Sequence, residues 1–306
     1  MTQTLEEFIA RLRRQVQGDV LLNEPLHRYT SFRLGGPADV LVHPSSMDDV
    51  IAVQQLSSRY EVPVTVLGAG SNVLIADAGV RGVVVRIGRS MSAVAFDGET
   101  IVADCGAPFP RLGKLSVEQG LTGLEFASGI PGTLGGALYM NAGAHNQTTA
   151  AVVEEVTAVD GTGRVLTLTA ADMEFGYRSS RLQREPGLIA VRAKLRLQAA
   201  DPAEVRERMR AFMERRRRTQ PIGTKNAGSV FKNPPGDFAG RLIEAAGCKG
   251  MSVGDAVVST VHANFIVNRG NATADDVRRL MEQVQKKVFE RFGVELEPEV
   301  RLLGFA

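Results

Sequence analysis

The segment at residues 176–181 combines two arginines and a tyrosine with small residues. Arg178 and Arg181 carry planar guanidinium groups, which suit bidentate contacts with a carboxylate or a phosphate. Tyr177 stands next to Arg178 and can line the same pocket. A solvated loop with no ligand is the alternative interpretation, and these residues alone leave it open.

A second candidate segment, residues 226–234, is a loop of small residues that leads to a serine. No G-x-S-x-G frame surrounds Ser229, which argues against an acyl-transfer nucleophile. Lys232 and Asn233 follow it and offer a cation and an amide, a combination that suits a sugar phosphate. A purely structural serine is the alternative.

Glu299 lies between apolar residues near the end of the sequence. Burial disfavours the charged form of a carboxyl group, so these surroundings predict a raised pKa and a group that can act as an acid. An ion pair between Glu299 and Arg301, or another arginine, is the structural alternative.

Two glycine-rich turns occupy residues 68–75 and 128–137. Glycine lets backbone N–H groups approach an anionic ligand closely, and two such turns predict an extended ligand with charge in its middle, such as a dinucleotide. The first turn lacks the third glycine of G-x-G-x-x-G, and no helix separates it from the strand predicted at residues 82–87, so a Rossmann site is excluded. A pair of tight turns without a ligand remains the alternative.

The elements that must position these segments are of mixed type. Hydrophobic spacing and capping residues predict helices at 48–60, 109–119, 239–246 and 274–292, a helix opened by a capping box at Thr4, and another opened by Asp201 and Pro202. The stripe of the 274–292 helix is predicted to bury Phe289. Strands are predicted at 38–43, 62–67, 82–87, 93–97, 100–104, 152–159, 164–169, 188–197 and 264–268, with a hairpin turn at Asp160-Gly161.

Composition restricts the class of protein. The chain has 306 residues, 44% apolar residues and a net charge of +2, which favours a two-domain globular protein and argues against nucleic-acid binding. The arginine run 215–218 is then the solvated end of a helix. No apolar run is long enough to cross a membrane, and two cysteines favour a reduced, cytoplasmic setting. No Cys/His spacing suits a metal.

In the order and spacing of these segments, the chain resembles the UDP-N-acetylenolpyruvoylglucosamine reductases, the MurB-type flavoenzymes of cell-wall precursor synthesis. The resemblance covers almost the whole chain. The resemblance begins at residues 29–39, includes both glycine turns, and continues through Tyr177-Arg178 and the segments 228–234, 262–268 and 296–304. It implies an α+β fold: a vanillyl-alcohol-oxidase-like (PCMH-type) FAD-binding domain of two subdomains, plus a C-terminal α+β substrate-binding domain. We place an N-terminal helical arm at residues 1–30, the FAD-binding domain at 31–200 and the substrate-binding domain at 201–306.

The resemblance also implies the ligands. They are FAD, NADPH as the reductant and a UDP-sugar substrate, with neither a nucleic acid nor a membrane as a partner. Because none of the four histidines lies in either glycine turn, we expect dissociable FAD. The cofactor-binding residues implied are Arg33, Gly68, Ala69, Gly70, Ser71, Asn72, Val73, Leu74, Ser128, Gly129, Ile130, Pro131, Gly132, Thr133, Gly135, Gly136, Ala137, Asn141 and Gly143.

For catalysis the resemblance implies Arg178, Ser229 and Glu299. Arg178 and protonated Glu299 would stabilise charge that develops on the substrate carboxylate, and Ser229 would donate a proton to C2. Tyr177, Arg181, Lys232 and Asn233 are the implied substrate contacts.

This sequence differs from many members of the family at one residue and in the length of one segment. Thr219 stands where many members have a lysine, so a cation on the diphosphate would have to come from Arg181 or Arg218. The short stretch between Arg178 and Leu188 favours the shorter subtype of the family, with a more open pocket.

Two other classes of protein are compatible with the glycine turns. An FAD-dependent oxidase of the same fold, acting on an alcohol or a sugar, has no use for Ser229 and Glu299 together. A non-catalytic flavin- or nucleotide-binding protein predicts bound flavin without turnover.

Overall fold

The computed structural model describes residues 3–305, which divide into two compact units. The first unit contains the residues up to Glu24, Ala38–Ala69 and Arg81–Glu214. The second unit contains Pro25–Pro37, Gly70–Val80 and the chain from Arg215 onward. The first glycine turn therefore contributes residues to both units.

The described helices alternate with strands along most of the chain. The helices are α1 (Gln3–Gln15), α2 (Met47–Tyr60), α3 (Phe109–Glu118), α4 (Leu134–Met140), α5 (Arg181–Arg184), α6 (Pro202–Thr219), α7 (Ala239–Ala245) and α8 (Ala274–Phe292). The strands are β1 (Asp19–Pro25), β2 (Pro37–His43), β3 (Val64–Leu67), β4 (Val73–Ile75), β5 (Val80–Arg86), β6 (Val94–Asp97), β7 (Thr100–Asp104), β8 (Leu121–Thr122), β9 (Gly143–Ala144), β10 (Gln147–Thr148), β11 (Val153–Val159), β12 (Val165–Thr169), β13 (Ile189–Arg196), β14 (Gln198–Ala199), β15 (Ser252–Val253), β16 (Ala256–Val258), β17 (Ile266–Asn268) and β18 (Arg301–Leu303).

The first unit is built on two sheets that share one apolar core. One sheet has the order β1-β2-β5-β3, with β3 and β5 parallel, and the other is the antiparallel sheet β12-β11-β13-β7-β6. The inward residues of α1 join the core: Phe8 and Leu12 are completely buried. The segment that carries Arg178 runs from the end of β12 to the start of β13, so both of its ends are held by the antiparallel sheet.

The second unit has its own apolar core between α7, α8 and two small sheets. Strands β15, β16 and β17 form one antiparallel sheet, and β18 pairs in parallel with β4. Helix α8 begins where predicted, because Thr273 and Asp276 form a reciprocal capping box, and it ends before Gly293. The β4–β18 pairing joins the end of the first glycine turn to the segment that follows Glu299.

The structure corrects the positions predicted for Thr4 and Phe289. Thr4 lies inside α1, which already includes Gln3, so it is not the helix cap. The predicted hairpin of β11 and β12 is confirmed, and its turn runs from Asp160 to Arg164 with Gly163 as the left-handed residue. Phe289 is 57% exposed, because it lies at the edge of a stripe whose centre alone faces the core. Strand β1 follows α1 within the segment predicted as an N-terminal arm.

Candidate active site

Hydrogen bonds on both sides of Ser229 fix its position in the second unit. Before it, the backbone N–H of Gly228 donates to the side-chain oxygen of Asn226 at 2.9 Å. After it, the N–H of Val230 donates to the carbonyl oxygen of Asn264 at 2.8 Å. Ser229 itself is half-buried, so its hydroxyl lies on a loop with a fixed backbone and access to solvent.

Asn264 is a buried side chain that sequence analysis missed. Only 4% exposed, it receives the backbone N–H of Phe231 at 3.0 Å and donates its amide to the Phe231 carbonyl oxygen at 2.8 Å. A side-chain amide has both a donor and an acceptor, so it can bond the N–H and the carbonyl oxygen of one residue, as a neighbouring β-strand does. The sequence feature that could have identified Asn264 is a polar residue among apolar ones just before strand β17.

The Glu299 segment lies directly beside the serine segment. The N–H of Glu299 donates to the Val230 carbonyl oxygen at 2.7 Å, and the N–H of Lys232 donates to the Glu297 carbonyl oxygen at 2.8 Å. Phe231 and Pro298 form an antiparallel bridge between these two bonds. The two catalytic candidates of this unit are therefore held by one short backbone ladder.

Asn72 approaches Glu299 from the first glycine turn. Its side-chain nitrogen donates to the Glu299 carbonyl oxygen at 3.1 Å, and its own carbonyl oxygen accepts the N–H of Arg301 at 3.0 Å. Asn72 is one of the predicted cofactor-binding residues. Within the second unit its amide contacts the segment that carries the candidate acid.

The charged and polar substrate candidates already have partners within their own units. Lys232 Nζ lies 2.5 Å from Glu297 Oε1, and Asn233 Oδ1 accepts the N–H of Ala239 at 3.0 Å at the start of α7. Arg181 Nε lies 2.7 Å from Glu185 Oε2, and this hydrogen bond raises the pKa of Arg181 above its ordinary value.

Arg178 lies in the first unit on a two-residue turn between Gly176 and Ser179. Its backbone is left-handed, with φ of 53°, a conformation that costs a residue with a side chain about 1–2 kcal/mol. Its guanidinium donates to the Gly143 carbonyl oxygen at 3.2 Å and lies over the ring of Tyr177, which is itself 56% exposed. The guanidinium direction is thus set by the segment around Gly143.

Two side-chain amides support the Arg178 turn. Gln183 donates to the Arg178 carbonyl oxygen at 3.0 Å, and Asn141 donates to the Gly176 carbonyl oxygen at 2.9 Å. Sequence analysis expected Asn141 to contact the cofactor and did not identify Gln183 at all. Nothing in the local sequence of Gln183 marks it, because its partners depend on the fold of the turn.

The two glycine turns meet inside the first unit. A Cβ atom on Gly68 would lie 2.6 Å from Thr133 Oγ1, so the turns are in contact at this point. Several amides of the second turn are used within the protein: Gly135 donates to the Cys105 carbonyl oxygen at 2.8 Å and Gly136 to Thr133 Oγ1 at 3.3 Å. At Gly135 the chain is also closely packed, because a Cβ atom there would lie 3.2 Å from the Cβ and carbonyl oxygen of Cys105.

Gly70 is held against the polypeptide in the second unit. Its φ is +64°, and a Cβ atom there would lie 2.0 Å from the Tyr29 carbonyl oxygen. Ser31 donates its N–H to the Gly70 carbonyl oxygen at 3.0 Å. Nearby, Arg33 also has positive φ and donates to the Arg28 carbonyl oxygen at 3.1 Å.

Two further predicted cofactor residues lie in the apolar cores. Leu74 is completely buried in the second unit, and Ala137 is 4% exposed in the first. The hydroxyl of Ser128 donates to the Glu125 carbonyl oxygen at 2.6 Å.

The donor chemistry of the turns fits FAD. Residues 68–73 and 128–137 contain hydroxyls, an amide and peptide groups but no carboxylate that would repel a pyrophosphate. In the described part of the chain, no three His, Cys, Asp or Glu side chains are grouped so that they could hold a metal ion. Within residues 3–305 no helix has the length and apolar character needed to cross a bilayer.

Comparison with known proteins identifies the class. Residues 38–169 match the model of the FAD binding domain, and residues 220–303 match the model of the UDP-N-acetylenolpyruvoylglucosamine reductase C-terminal domain. The chain is therefore a flavoprotein, an FAD-dependent oxidoreductase, and the predicted α+β fold class is confirmed.

Similarity to whole proteins extends over nearly the full chain. The UDP-N-acetylenolpyruvoylglucosamine reductase of Rubrobacter xylanophilus is 49% identical and the match covers 92% of this chain and 94% of that protein. The Bacillus subtilis enzyme of the same name is 40% identical, with coverage of 98% and 99%. The crystal structure of the Thermus caldophilus reductase superimposes with a TM-score of 0.80 at 36% identity, over 94% of this chain and 99% of that one. The chain belongs to the UDP-N-acetylenolpyruvoylglucosamine reductase family.

Proposed function

We propose that this protein reduces the enolpyruvyl group of UDP-N-acetylglucosamine enolpyruvate to give UDP-N-acetylmuramate, with NADPH as reductant, in the cytoplasmic synthesis of peptidoglycan precursors. Family membership supports the reaction. The observation that carries the assignment of roles is the backbone ladder that places the Ser229 and Glu299 segments side by side.

The reaction breaks the carbon–carbon double bond by adding a hydride to C3 and a proton to C2. Non-covalently bound FAD supplies the hydride transfer from NADPH to C3. We assign its binding to the two glycine turns, which meet at Gly68 and Thr133. Protein side chains bind the substrate, stabilise negative charge and deliver the proton.

Ser229 is the proposed proton donor. Its hydroxyl donates the proton to C2, where negative charge develops after hydride addition. A serine is a weak acid, so it can act only on a strongly basic carbon held next to it, and its own proton must then be restored from solvent. The partial exposure of Ser229 is consistent with that resupply.

Glu299 and Arg178 are the proposed partners of the substrate carboxylate. Charge developing at C2 spreads onto that carboxylate, and donors placed there in advance stabilise the transition state. Arg178 supplies a guanidinium held by Gly143, and Glu299, when protonated, supplies a hydrogen bond.

Substrate binding is assigned to Tyr177, Arg181, Lys232 and Asn233. Of the two cations, Lys232 follows the serine in the same ladder, and its pairing with Glu297 sets its direction. Arg181 is paired with Glu185, so it must change partner to reach a diphosphate. Arg218, exposed on α6, is the other candidate to replace the cation missing at Thr219.

The experiment that tests this function is an anaerobic assay of NADPH oxidation with the purified protein. Oxidation should require the enolpyruvyl UDP-sugar and should yield the lactyl ether in equimolar amount. UDP-N-acetylglucosamine, which lacks the enolpyruvyl group, is the control and should not support oxidation. Oxygen consumption with an alcohol, and no response to the enolpyruvyl sugar, would instead indicate an oxidase of the same fold.

A further inference from the structure

Asn72 makes contacts on both sides of the Glu299–Val300 segment. Its side-chain nitrogen donates to the Glu299 carbonyl oxygen at 3.1 Å, and its backbone oxygen accepts the N–H of Arg301 at 3.0 Å. Beyond this point β4 and β18 continue in parallel register, with Val73 opposite Arg301. Only one of these contacts, the side-chain amide, depends on residue 72 being asparagine.

Glu299 is consequently fixed through both of its backbone polar groups. Its N–H is bound to the carbonyl oxygen of Val230, the residue after Ser229, and its carbonyl oxygen is bound to Asn72. Rotation of the peptide unit after Glu299 would break the Asn72 contact. Because a side chain leaves the backbone in a direction set by the local dihedrals, that contact limits where the carboxyl group can point.

From this geometry we propose that Asn72 is a positioning residue for the reaction. Its amide holds Glu299 in the orientation from which the carboxyl group reaches the substrate carboxylate. The inference rests on the proposed function, and it assigns the Asn72 side chain to the acid rather than to the cofactor. Residue 72 thus connects a turn assigned to FAD with the acid that serves the second half of the reaction.

The role requires a donor of the length of asparagine. Aspartate has nearly the same shape, but its oxygens accept hydrogen bonds and would repel the Glu299 carbonyl oxygen. Alanine removes the group. Asn72→Ala therefore tests the contact without adding a carboxylate to a turn assigned to FAD, and Asn72→Asp provides a second variant, closer in shape, for the spectroscopic measurement.

Gln285 provides a matched control. Its side-chain nitrogen donates to the Leu296 carbonyl oxygen at 2.8 Å, so it holds the same segment three residues earlier by the same type of bond. Gln285→Ala should lower stability to a similar extent without changing the direction of the Glu299 carboxyl group. If Asn72 contributed only to stability, the Asn72 variants and Gln285→Ala would have the same effect on the reaction.

Three measurements on the FAD-loaded and FAD-free proteins separate the roles. For Asn72→Ala, which adds no charge to the turn, we expect FAD affinity, from flavin fluorescence titration, and the rate of flavin reduction by NADPH to change by less than about threefold. The rate of anaerobic flavin reoxidation by the enolpyruvyl sugar should fall on the order of ten- to a hundredfold. Gln285→Ala should leave all three within about threefold.

A double-mutant cycle with Glu299→Gln tests whether Asn72 acts through Glu299. In the Glu299→Gln background, Asn72→Ala should slow reoxidation by less than about twofold, because the group that it positions is already impaired. Fully additive losses would overturn the proposal. So would weakened FAD binding with an unchanged reoxidation rate, since the amide would then serve the cofactor.

A spectroscopic readout keeps this test independent of the overall function. The ¹³C resonance of the Glu299 carboxyl group should move in Asn72→Asp and stay in place in Gln285→Ala. If the wild-type protein does not consume NADPH with the enolpyruvyl sugar, the proposed function fails, while this resonance still reports whether Asn72 controls Glu299. An unmoved resonance in Asn72→Asp would overturn the positioning role.

Discussion

Ser229 is positioned by the peptide groups that surround it. Val230 is bound on one side by Asn264 and on the other by Glu299, so the serine cannot shift without loss of backbone hydrogen bonds. A proton donor as weak as serine requires such precision, because misplacement by about 1 Å can reduce a rate a hundredfold. In the proposed mechanism, the ladder therefore limits movement of the proton donor.

The role proposed for Glu299 can be tested by removing its acidic proton while keeping its shape. Glu299→Gln should slow the reduction of the enolpyruvyl sugar on the order of a hundredfold, because an amide N–H is a far weaker acid than a carboxyl O–H and stabilises the developing charge less. Flavin reduction by NADPH, followed at the flavin absorbance band, should be nearly unaffected. Glu295, which is exposed in the same segment, offers Glu295→Gln as the control. Unchanged turnover in Glu299→Gln would remove Glu299 from the site.

The sequence predicts Ser229 and Glu299 as reacting side chains but does not predict the residues that hold them. Ser229 and Glu299 follow from residue type and family resemblance. Asn264, Gln183 and the contact between Asn72 and Glu299 do not, because each depends on a partner that only the fold brings close. Asn72 and Glu299, for example, are separated by more than two hundred positions in the chain.

At the scale of elements, the second glycine turn depends on backbone conformations that side chains disfavour. Gly132 has φ of +147°, and its carbonyl oxygen accepts the N–H of Phe109 at 3.0 Å, which joins the turn to α3. The turn therefore begins α4 from a conformation that a β-branched residue cannot adopt without strain.

Substitution at Gly132 should release the cofactor. Gly132→Val would force the turn to rearrange, so the purified variant should contain much less FAD per protein than the wild type, measured by the ratio of flavin to protein absorbance. Gly161→Val is the matched control, because Gly161 lies in an exposed hairpin loop with no atom near its missing Cβ. A fully loaded Gly132→Val protein would contradict the assignment of this turn to FAD.

Asp49 links three elements of the first unit. Its carboxylate accepts the N–H groups of Gln17, Gly18 and Ser45 at 2.8, 3.0 and 2.7 Å, and so joins the region after α1 and the end of β2 to the start of α2. Burial opposes ionisation, but these bonds and the Ser45 hydroxyl outweigh it and hold the pKa of Asp49 below its ordinary value.

The lowered pKa predicts how the stability contribution of Asp49 depends on pH. The contribution is complete above the unfolded-state pKa of about 3.9 and is lost as the pH falls through the lower native value. Asp49→Asn should reduce the free energy of unfolding by about 1–3 kcal/mol near neutral pH, and the difference from wild type should shrink in acid. Urea denaturation across this range measures it, with exposed Asp48→Asn as control. A difference that is constant with pH would be inconsistent with this account.

Helices α1–α3 and α6–α8 and the local hairpin were predictable because their signals are local, whereas the short helices α4 and α5 were not predicted. The Thr273 cap and the apolar stripe of α8 specify that helix, and alternating residues specify β11 and β12. The β4–β18 pair could not be predicted, because each strand has only three residues and its partner lies at the other end of the chain.

At the scale of the whole molecule, each of the two units has its own apolar core. Arg178 belongs to the first unit, whereas Ser229, Glu299 and Asn72 belong to the second. The FAD binding domain match lies within residues 38–169 and the reductase C-terminal match within residues 220–303. In the proposed mechanism, the proton donor Ser229 and the acid Glu299 both belong to the second unit, and Arg178 belongs to the first.

The most direct test of this account is a comparison of the two half-reactions in Ser229→Ala and wild type by anaerobic rapid mixing. Both proteins should reduce their flavin with NADPH at similar rates. Only the wild type should then reoxidise it on addition of the enolpyruvyl UDP-sugar, whereas Ser252→Ala, which changes an exposed serine of the same unit, should behave as wild type. Equal loss of both half-reactions in Ser229→Ala, or normal reoxidation, would contradict the assignment of Ser229 as the proton donor.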